Sequence, residues 1–196
     1  MTQRLILASN NAGKLKEFAQ LLGPIGFELH PQGEFKVPEA EEPFGTFVEN
    51  ALQKARHAAR LTGLPALADD SGVCVNALGG APGVYSARYA GEPKSDARNN
   101  EKLVADLAAH ADKSAYYYCV LVYVRHADDP QPIIADGIWR GRIVDTPRGA
   151  NGFGYDPYFL IPALGKTTAE LEPAEKNAIS HRGQAIRALV EKLTQK

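Results

Sequence analysis

Cysteine is nearly absent from this 196-residue chain: there are two, Cys74 and Cys119, both inside apolar stretches and without any short metal-ligand spacing. This excludes a disulfide scaffold and reads as two buried thiols in a reduced intracellular protein. An excess of charge is missing too. The formal net charge is -1 with both signs scattered, so no extended basic field exists to hold a nucleic-acid polymer, whereas small phosphorylated ligands are untouched by that argument. Long apolar runs are lacking as well. Met1 to Ser9 turns polar after a few residues, which matches neither a signal peptide nor a membrane span and points to a soluble, cytoplasmic protein. Finally, no internal repeat, low-complexity tract or long linker divides residues 1–196, so one compact domain, with or without two lobes, is expected.

What is there suffices for a core: 44% of the residues are apolar. Arg4 to Ala8 reads as a buried strand, followed by the polar turn Ser9-Asn10-Asn11-Ala12-Gly13-Lys14 and a helix whose apolar residues run from Leu15 to Leu22 before Gly23-Pro24. A short strand and a surface loop occupy the stretch from Gly26 to Pro43. Thr46, with Glu49 three residues on, predicts a capped helix to about Thr62. On it Asn50, Lys54 and His57 share one face, which is free to point at a ligand. Leu64 to Ala68 reads as a strand giving out at Asp69-Asp70-Ser71-Gly72, with a second apolar stretch from Val73 to Val75. A helix is expected over Ser95 to Ala109, and paired strands over Tyr116 to Arg125 and Ile133 to Val144. Phe153 to Ile161 adds a strand and Ser180 to Leu193 a terminal helix. Two consecutive long strands after a strand and helix alternation predict a mixed sheet in an α/β fold.

Four places carry chemistry. The turn Ser9 to Lys14 offers backbone N–H groups at a helix start, a glycine that allows close approach, the Asn10 amide and the Lys14 ammonium, together a phosphate-binding arrangement. It lacks Walker spacing, and an ordinary capped turn with a solvated lysine explains it equally well in isolation. Asp69-Asp70-Ser71-Gly72 puts two acids at the end of an apolar run. Carboxylates there suit a hard divalent ion such as magnesium, with Glu41 and Glu42 the nearest acids in type to complete the site; a solvated turn is the plain alternative. In Gly152-Phe153-Gly154-Tyr155-Asp156-Pro157 glycines leave room for a flat ligand and an aromatic ring can stack on a base, unless the rings are simply core. Lys176, His181 and Arg182 gather donors near one helix start, where cations are locally unfavourable, so either a bound ligand or an acidic partner is implied.

Taken in order, Ser9-Asn-Asn-Ala-Gly-Lys14, Glu41-Glu42, Phe47-Val-Glu-Asn-Ala51, Lys54-Ala-Arg56, Ala68-Asp-Asp-Ser-Gly72, Gly79-Gly-Ala-Pro-Gly83, Tyr85-Ser-Ala-Arg88, Gly152-Phe-Gly-Tyr-Asp-Pro157, Lys176 and Ser180-His-Arg-Gly183 closely resemble the inosine triphosphate pyrophosphatase family, the Ham1-like enzymes acting on non-canonical purine nucleotides. The resemblance spans nearly the whole chain. It implies a two-lobed α/β fold with an elongated central mixed sheet flanked by helices, a nucleotide cleft between the lobes, a magnesium requirement and a homodimer. By position it implies that Ser9, Asn10, Asn11, Ala12, Gly13, Lys14 and Lys54 bind the triphosphate, that Glu41 and Asp70 serve the metal, and that Asp70 is also the catalytic base with Ser71 touching substrate. Phe153, Gly154, Tyr155, Asp156, Lys176, His181 and Arg182 would hold base and sugar.

The reaction so implied is hydrolysis of ITP, dITP, XTP or dXTP to the monophosphate and pyrophosphate, by in-line attack of water on the α-phosphorus. Whether Asp70 takes the proton or serves the metal stays open at this stage. A non-catalytic nucleotide-binding regulator and a pyrophosphatase for modified pyrimidine nucleotides are the competing readings, and a P-loop ATPase is disfavoured by the missing Walker spacing.

Overall fold

The computed structural model describes residues 2–195. Strand β1 (Gln3–Leu7) leads into helix α1 (Ala12–Leu22) and then strand β2 (Phe27–Pro31), which pairs with β1 in parallel. Leu5, Ile6 and Leu7 are wholly buried, as expected of a strand covered on both faces inside a parallel segment. Helix α2 (Phe47–Thr62) starts at Thr46, whose side chain accepts the Glu49 N–H, and ends at Gly63 in the left-handed region.

Strand β3 (Ala66–Val75) is parallel to β1. Helix α3 (Asp96–Leu107) follows, and the long strands β4 (Ser114–Val124) and β5 (Ile133–Ile143) come next in the chain. Strand β6 (Phe159–Ile161) is antiparallel to β5, and β7 (Lys166–Thr167) antiparallel to β6. Helices α4 (Pro173–Ile179) and α5 (His181–Thr194) close the described chain. The seven strands form one mixed sheet in the order β2-β1-β3-β4-β5-β6-β7, as the sequence predicts in kind.

The chain divides into two compact units. One holds the chain up to Asp70, Cys119–Gly137, and Arg182 onward; the other holds Ser71–Tyr118 and Ile138–His181. Each has its own core. In the first, Leu5, Phe18, Leu67, Leu121 and Ile186 pack together; in the second, Val73, Leu103, Trp139, Phe159 and Leu171 do so. Strand β4 records the difference in its burial. Ser114 to Tyr118 alternate between buried and partly buried, while Cys119 to Val124 are buried throughout. None of the helices among the described residues is long and apolar enough to cross a membrane.

Three elements depart from the sequence expectation. Strand β3 does not give out at the acids but runs straight through Asp69, Asp70, Ser71 and Gly72. Cationic partners for both carboxylates remove the need for solvent that would otherwise force a turn. The segment Gly152 to Tyr155 is a loop, because Gly152 (φ 78°) and Gly154 (φ 61°) adopt left-handed conformations that no strand contains, and only Phe159–Ile161 is extended. Helix α4 is too short to show an apolar stripe, yet Glu172, Pro173 and Glu175 already carry its capping box and N-terminal proline.

Candidate active site

The first unit gathers a charged cluster around the end of β1 and the middle of β3. Asn11 caps α1 by accepting the Lys14 N–H at 3.0 Å, and the Asn11 N–H in turn donates to Ser9 Oγ at 3.2 Å. Asn10 is committed elsewhere: its Oδ1 accepts the Gly33 N–H at 2.8 Å, fastening the turn to the segment after β2. Asn10, Asn11, Ala12 and Gly13 are exposed, so the first N–H groups of α1 face solvent with the positive end of the helix dipole behind them. A side chain at Gly13 would come within 3.1 Å of Asn11 Oδ1 and crowd the cap.

Lys14 reaches back to β3, where its Nζ lies 2.8 Å from Asp69 Oδ1. Asp69 also faces Arg182, with Nε 3.6 Å from Oδ2, and Arg182 sits 3.8 Å from Glu17 on α1. Burial works against ionisation of Asp69, but Lys14, Arg182 and Lys54 outweigh it and hold the carboxyl well below the usual range. The neighbouring Asp70 behaves in the opposite way. Burial, reinforced by the charges of Glu42 and Asp69, prevails over the attraction of Lys54 and pushes Asp70 up to about 6. Lys54 itself stays protonated: burial opposes its charge, but Asp70, Asp69 and Glu42 raise its pKa. Its Nζ is 2.6 Å from Glu42 and 3.6 Å from Asp70.

In this cluster the acids Glu17, Glu42, Asp69 and Asp70 outnumber the cations Lys14, Lys54 and Arg182 by four to three. An oxygen-only donor set with surplus negative charge, one member of which binds a proton unusually well, is what a hard divalent cation prefers. Among the described residues no three His, Cys, Asp or Glu side chains are grouped as a ready-made cage. Magnesium commonly needs none, taking one or two carboxylates together with substrate phosphates. Glu42 is the acid of its loop that is joined to Lys54; Glu41 beside it is exposed.

The second unit builds a different arrangement around Asp156, which is 2% exposed. Asp156 Oδ1 accepts from the Tyr117 hydroxyl at 3.2 Å and from Thr168 at 2.8 Å, while Oδ2 accepts the Phe153 N–H at 2.9 Å and pairs with Lys176. Four bonds to one carboxylate fix the loop that carries Phe153. From α3, Asp96 accepts the Gly154 N–H at 2.8 Å and Asn100 donates to the Gly154 carbonyl at 2.9 Å. The result is an aromatic ring held outward: Phe153 is 65% exposed, with Lys176 Nζ 5.2 Å from its centroid. Tyr155 points the other way, buried, with its hydroxyl donating to the Ser86 carbonyl. His181 is buried and stacks on Tyr117 at 4.7 Å with the rings 9° from parallel. Ser71 lies half-buried in β3.

Of the residues singled out in the sequence, the structure therefore brings Lys14, Lys54, Asp70 and Arg182 together in one unit, and Phe153, Asp156, Lys176 and the Tyr117-stacked His181 together in the other. Sequence reasoning passes over Glu17 and Tyr117 as site residues, and has Asp69 only as one half of the acidic pair, with no role apart from Asp70. Glu17 can be found, being one turn from Lys14 on the same helix; Tyr117 is hidden in an apolar strand.

The Ham1 family model matches residues 5–192. A dITP/XTP pyrophosphatase of Ralstonia nicotianae is 70% identical over 194 residues, covering 97% of this chain and 96% of that protein. One of the same description from Chromobacterium violaceum is 65% identical, with 98% of each chain covered. Among solved structures, a HAM1 protein from Coxiella burnetii superposes with a TM-score of 0.96 at 51% identity over 100% of both chains. The Staphylococcus aureus Ham1 protein gives 0.91 at 40% identity, covering 98% of this chain and 99% of that one.

Proposed function

The chain belongs to the Ham1 family, and from that membership we propose that it hydrolyses non-canonical purine nucleoside triphosphates, dITP and XTP among them, to the monophosphate and pyrophosphate. The observation that carries the reading is the contrast on β3: Asp69, held ionised between Lys14 and Arg182, beside Asp70, whose proton affinity lies near neutrality. The first organises cations for phosphate. The second is poised as a general base.

In this reading the exposed N–H groups of α1 and the Lys14 and Lys54 ammonium groups receive the phosphates. Asp70 takes the proton of a water attacking the α-phosphorus. The new bond joins water oxygen to phosphorus, the bond to the α–β bridging oxygen breaks, and pyrophosphate leaves with that oxygen and its electron pair. The lysines neutralise the charge growing on the leaving group. Carboxylate oxygens of Asp70 and of the acidic loop, Glu41 by resemblance and Glu42 by contact, suit a magnesium ion, which when bound would neutralise phosphate charge.

Phe153 offers its face to the base with Lys176 beside it, and the resemblance adds His181 and Arg182 as further donors. A 6-oxo purine presents an acceptor to such donors, where adenine presents an amino group, so the donors favour ITP or XTP over ATP. The proposal extends to a homodimer, supported by the resemblance, and to the cytoplasm, where the two free buried thiols would remain reduced.

The test is pyrophosphate release from dITP, ITP, XTP, GTP, ATP and pyrimidine triphosphates, with and without magnesium. Magnesium-dependent release from the 6-oxo non-canonical purines is expected. Binding without release would leave a nucleotide-binding regulator, and preference for pyrimidines would redirect the substrate class.

A further inference from the structure

The turn from Ser9 to Lys14 spends its side-chain oxygens on the protein itself. Ser9 Oγ accepts the Asn11 N–H at 3.2 Å, Asn11 Oδ1 accepts the Lys14 N–H at 3.0 Å, and Asn10 Oδ1 accepts the Gly33 N–H at 2.8 Å. What remains on these exposed residues is donors: the Ala12 and Gly13 N–H groups, which have no helical partner at the start of α1, and the amide nitrogens of Asn10 and Asn11. A fully ionised phosphate only accepts, so a turn whose own acceptors are already occupied suits it.

Two of these three bonds are local, but the third reaches 23 residues along the chain to Gly33, in the short helical turn Gln32–Phe35 that follows β2. Backbone freedom does not demand a glycine there, because Gly33 is not among the glycines with positive φ. Space does. A Cβ at position 33 would stand 2.6 Å from Asn10 Oδ1 and 3.3 Å from its Cγ, so Asn10 occupies the side of Gly33 where a side chain would go. The bond also decides how the amide faces. The Gly33 N–H can meet only the oxygen, which leaves the nitrogen and its two hydrogens on the other arm of the carboxamide, and among the described residues that nitrogen donates to none.

We propose that Gly33 is a positioning residue for nucleotide binding: with its N–H and its bare side it pins the Asn10 oxygen, so that the Asn10 nitrogen is the arm presented to the triphosphate. This rests on the pyrophosphatase reading. A glycine serving only the packing of its own turn would be indifferent to the donor at position 10, whereas here the two residues act as one unit.

The experiment uses the full chain as wild type, Gly33→Ala, Asn10→Ala, the double variant of these two, and Asn10→Asp. Read for each are kcat and KM for dITP at saturating magnesium, the Kd of the non-hydrolysable α,β-methylene analogue of dITP by calorimetry, and the melting temperature. A hydrogen bond to a charged oxygen is worth about tenfold or more in binding, so Gly33→Ala should raise KM and Kd by about that factor with kcat little changed. In the Asn10→Ala background the same glycine substitution should alter KM and Kd by less than about twofold, because the unit is already broken. Asn10→Asp keeps an oxygen for the Gly33 N–H and loses the donor, so it should melt above Asn10→Ala and yet bind the analogue no better. Equal effects of Gly33→Ala on Kd in both backgrounds, or an Asn10→Asp protein that binds like wild type, would overturn the proposal. Wild type that releases no pyrophosphate would instead overturn the underlying reading, with the analogue Kd values still deciding the role of Gly33. Should Gly33→Ala not fold by circular dichroism, the comparison of Asn10→Asp with Asn10→Ala decides alone, and an aspartate variant that melts no higher than the alanine one counts against the pinning.

Discussion

Lys14 Nζ and Asp69 Oδ1 lie 2.8 Å apart, joining the first turn of α1 to the middle of β3 across 55 residues of sequence. The pair sets the helix N-terminus against the strand that carries Asp70. Asp69 is 2% exposed at its side chain and Lys14 24%, so the carboxylate is desolvated more completely than its partner. Removing the acid strands Lys14 and Arg182 together.

Asp69→Asn should therefore destabilise the protein by about 2–4 kcal/mol at pH 7, somewhat less than for a fully buried pair because Lys14 keeps some water. The folded-state pKa of Asp69 is depressed, so its contribution is complete above the ordinary value of 3.8 and is lost as pH falls toward the folded value. Urea denaturation at pH 7 and pH 3 checks this: the gap between wild type and variant should narrow at the lower pH. An equal gap at both would show that the charge of Asp69 is not what stabilises.

Asp70→Asn should do the reverse to stability while removing activity. With a folded pKa of about 6 against an ordinary 3.8, Asp70 binds its proton more tightly folded than unfolded. Stability it confers is present below the unfolded value and disappears as pH rises from about 4 to about 6, leaving an ionised, crowded carboxylate at pH 7. The variant should melt higher at pH 7, by the equivalent of about 1–3 kcal/mol, and match wild type near pH 4. Turnover of dITP should fall at least about a hundredfold. Near-normal turnover would take Asp70 out of the proton transfer.

Much of this is legible in the sequence, and the reasons differ from residue to residue. The helix beginning at Ala12 and the cap at Thr46 follow from local chemistry, which sequence displays directly. The opposite fates of Asp69 and Asp70 are not legible, since two identical side chains one residue apart point to opposite faces of a strand and meet different neighbours. One finds Lys14 and Arg182, from positions 14 and 182; the other finds Glu42, Asn50 and Lys54. Likewise the loop at Gly152 reads as strand because its alternation of glycine and aromatic mimics a period of two, while the backbone there is dictated by the four bonds to Asp156.

Phe153→Ala should separate binding from stability. With 65% of the residue exposed, its ring contributes little to the core, and loss should stay within about 0.5 kcal/mol. Stacking of a base on an aromatic ring is worth about 1–3 kcal/mol, so KM for dITP should rise by about tenfold or more. Steady-state kinetics and thermal melting on the same preparation decide it. A fall in melting temperature without a change in KM would assign the ring to packing.

Gly152 and Gly154 make a controlled comparison within one loop. Both have positive φ, so an alanine at either carries backbone strain of about 1 kcal/mol. At Gly154 the place an alanine methyl would take has nothing within 4 Å of it, whereas at Gly152 that place is 2.0 Å from Asp156 Oδ2. The carboxylate cannot retreat without giving up bonds to Phe153, Lys176, Tyr117 or Thr168. Gly154→Ala should accordingly cost about 1 kcal/mol of stability with KM for dITP changed only a few fold. Gly152→Ala should displace Asp156 and with it the Phe153 platform, raising KM by at least about tenfold, the energy of one lost stacking contact. Equal effects of the two substitutions on KM would mean that the Asp156 hub does not set the position of the ring.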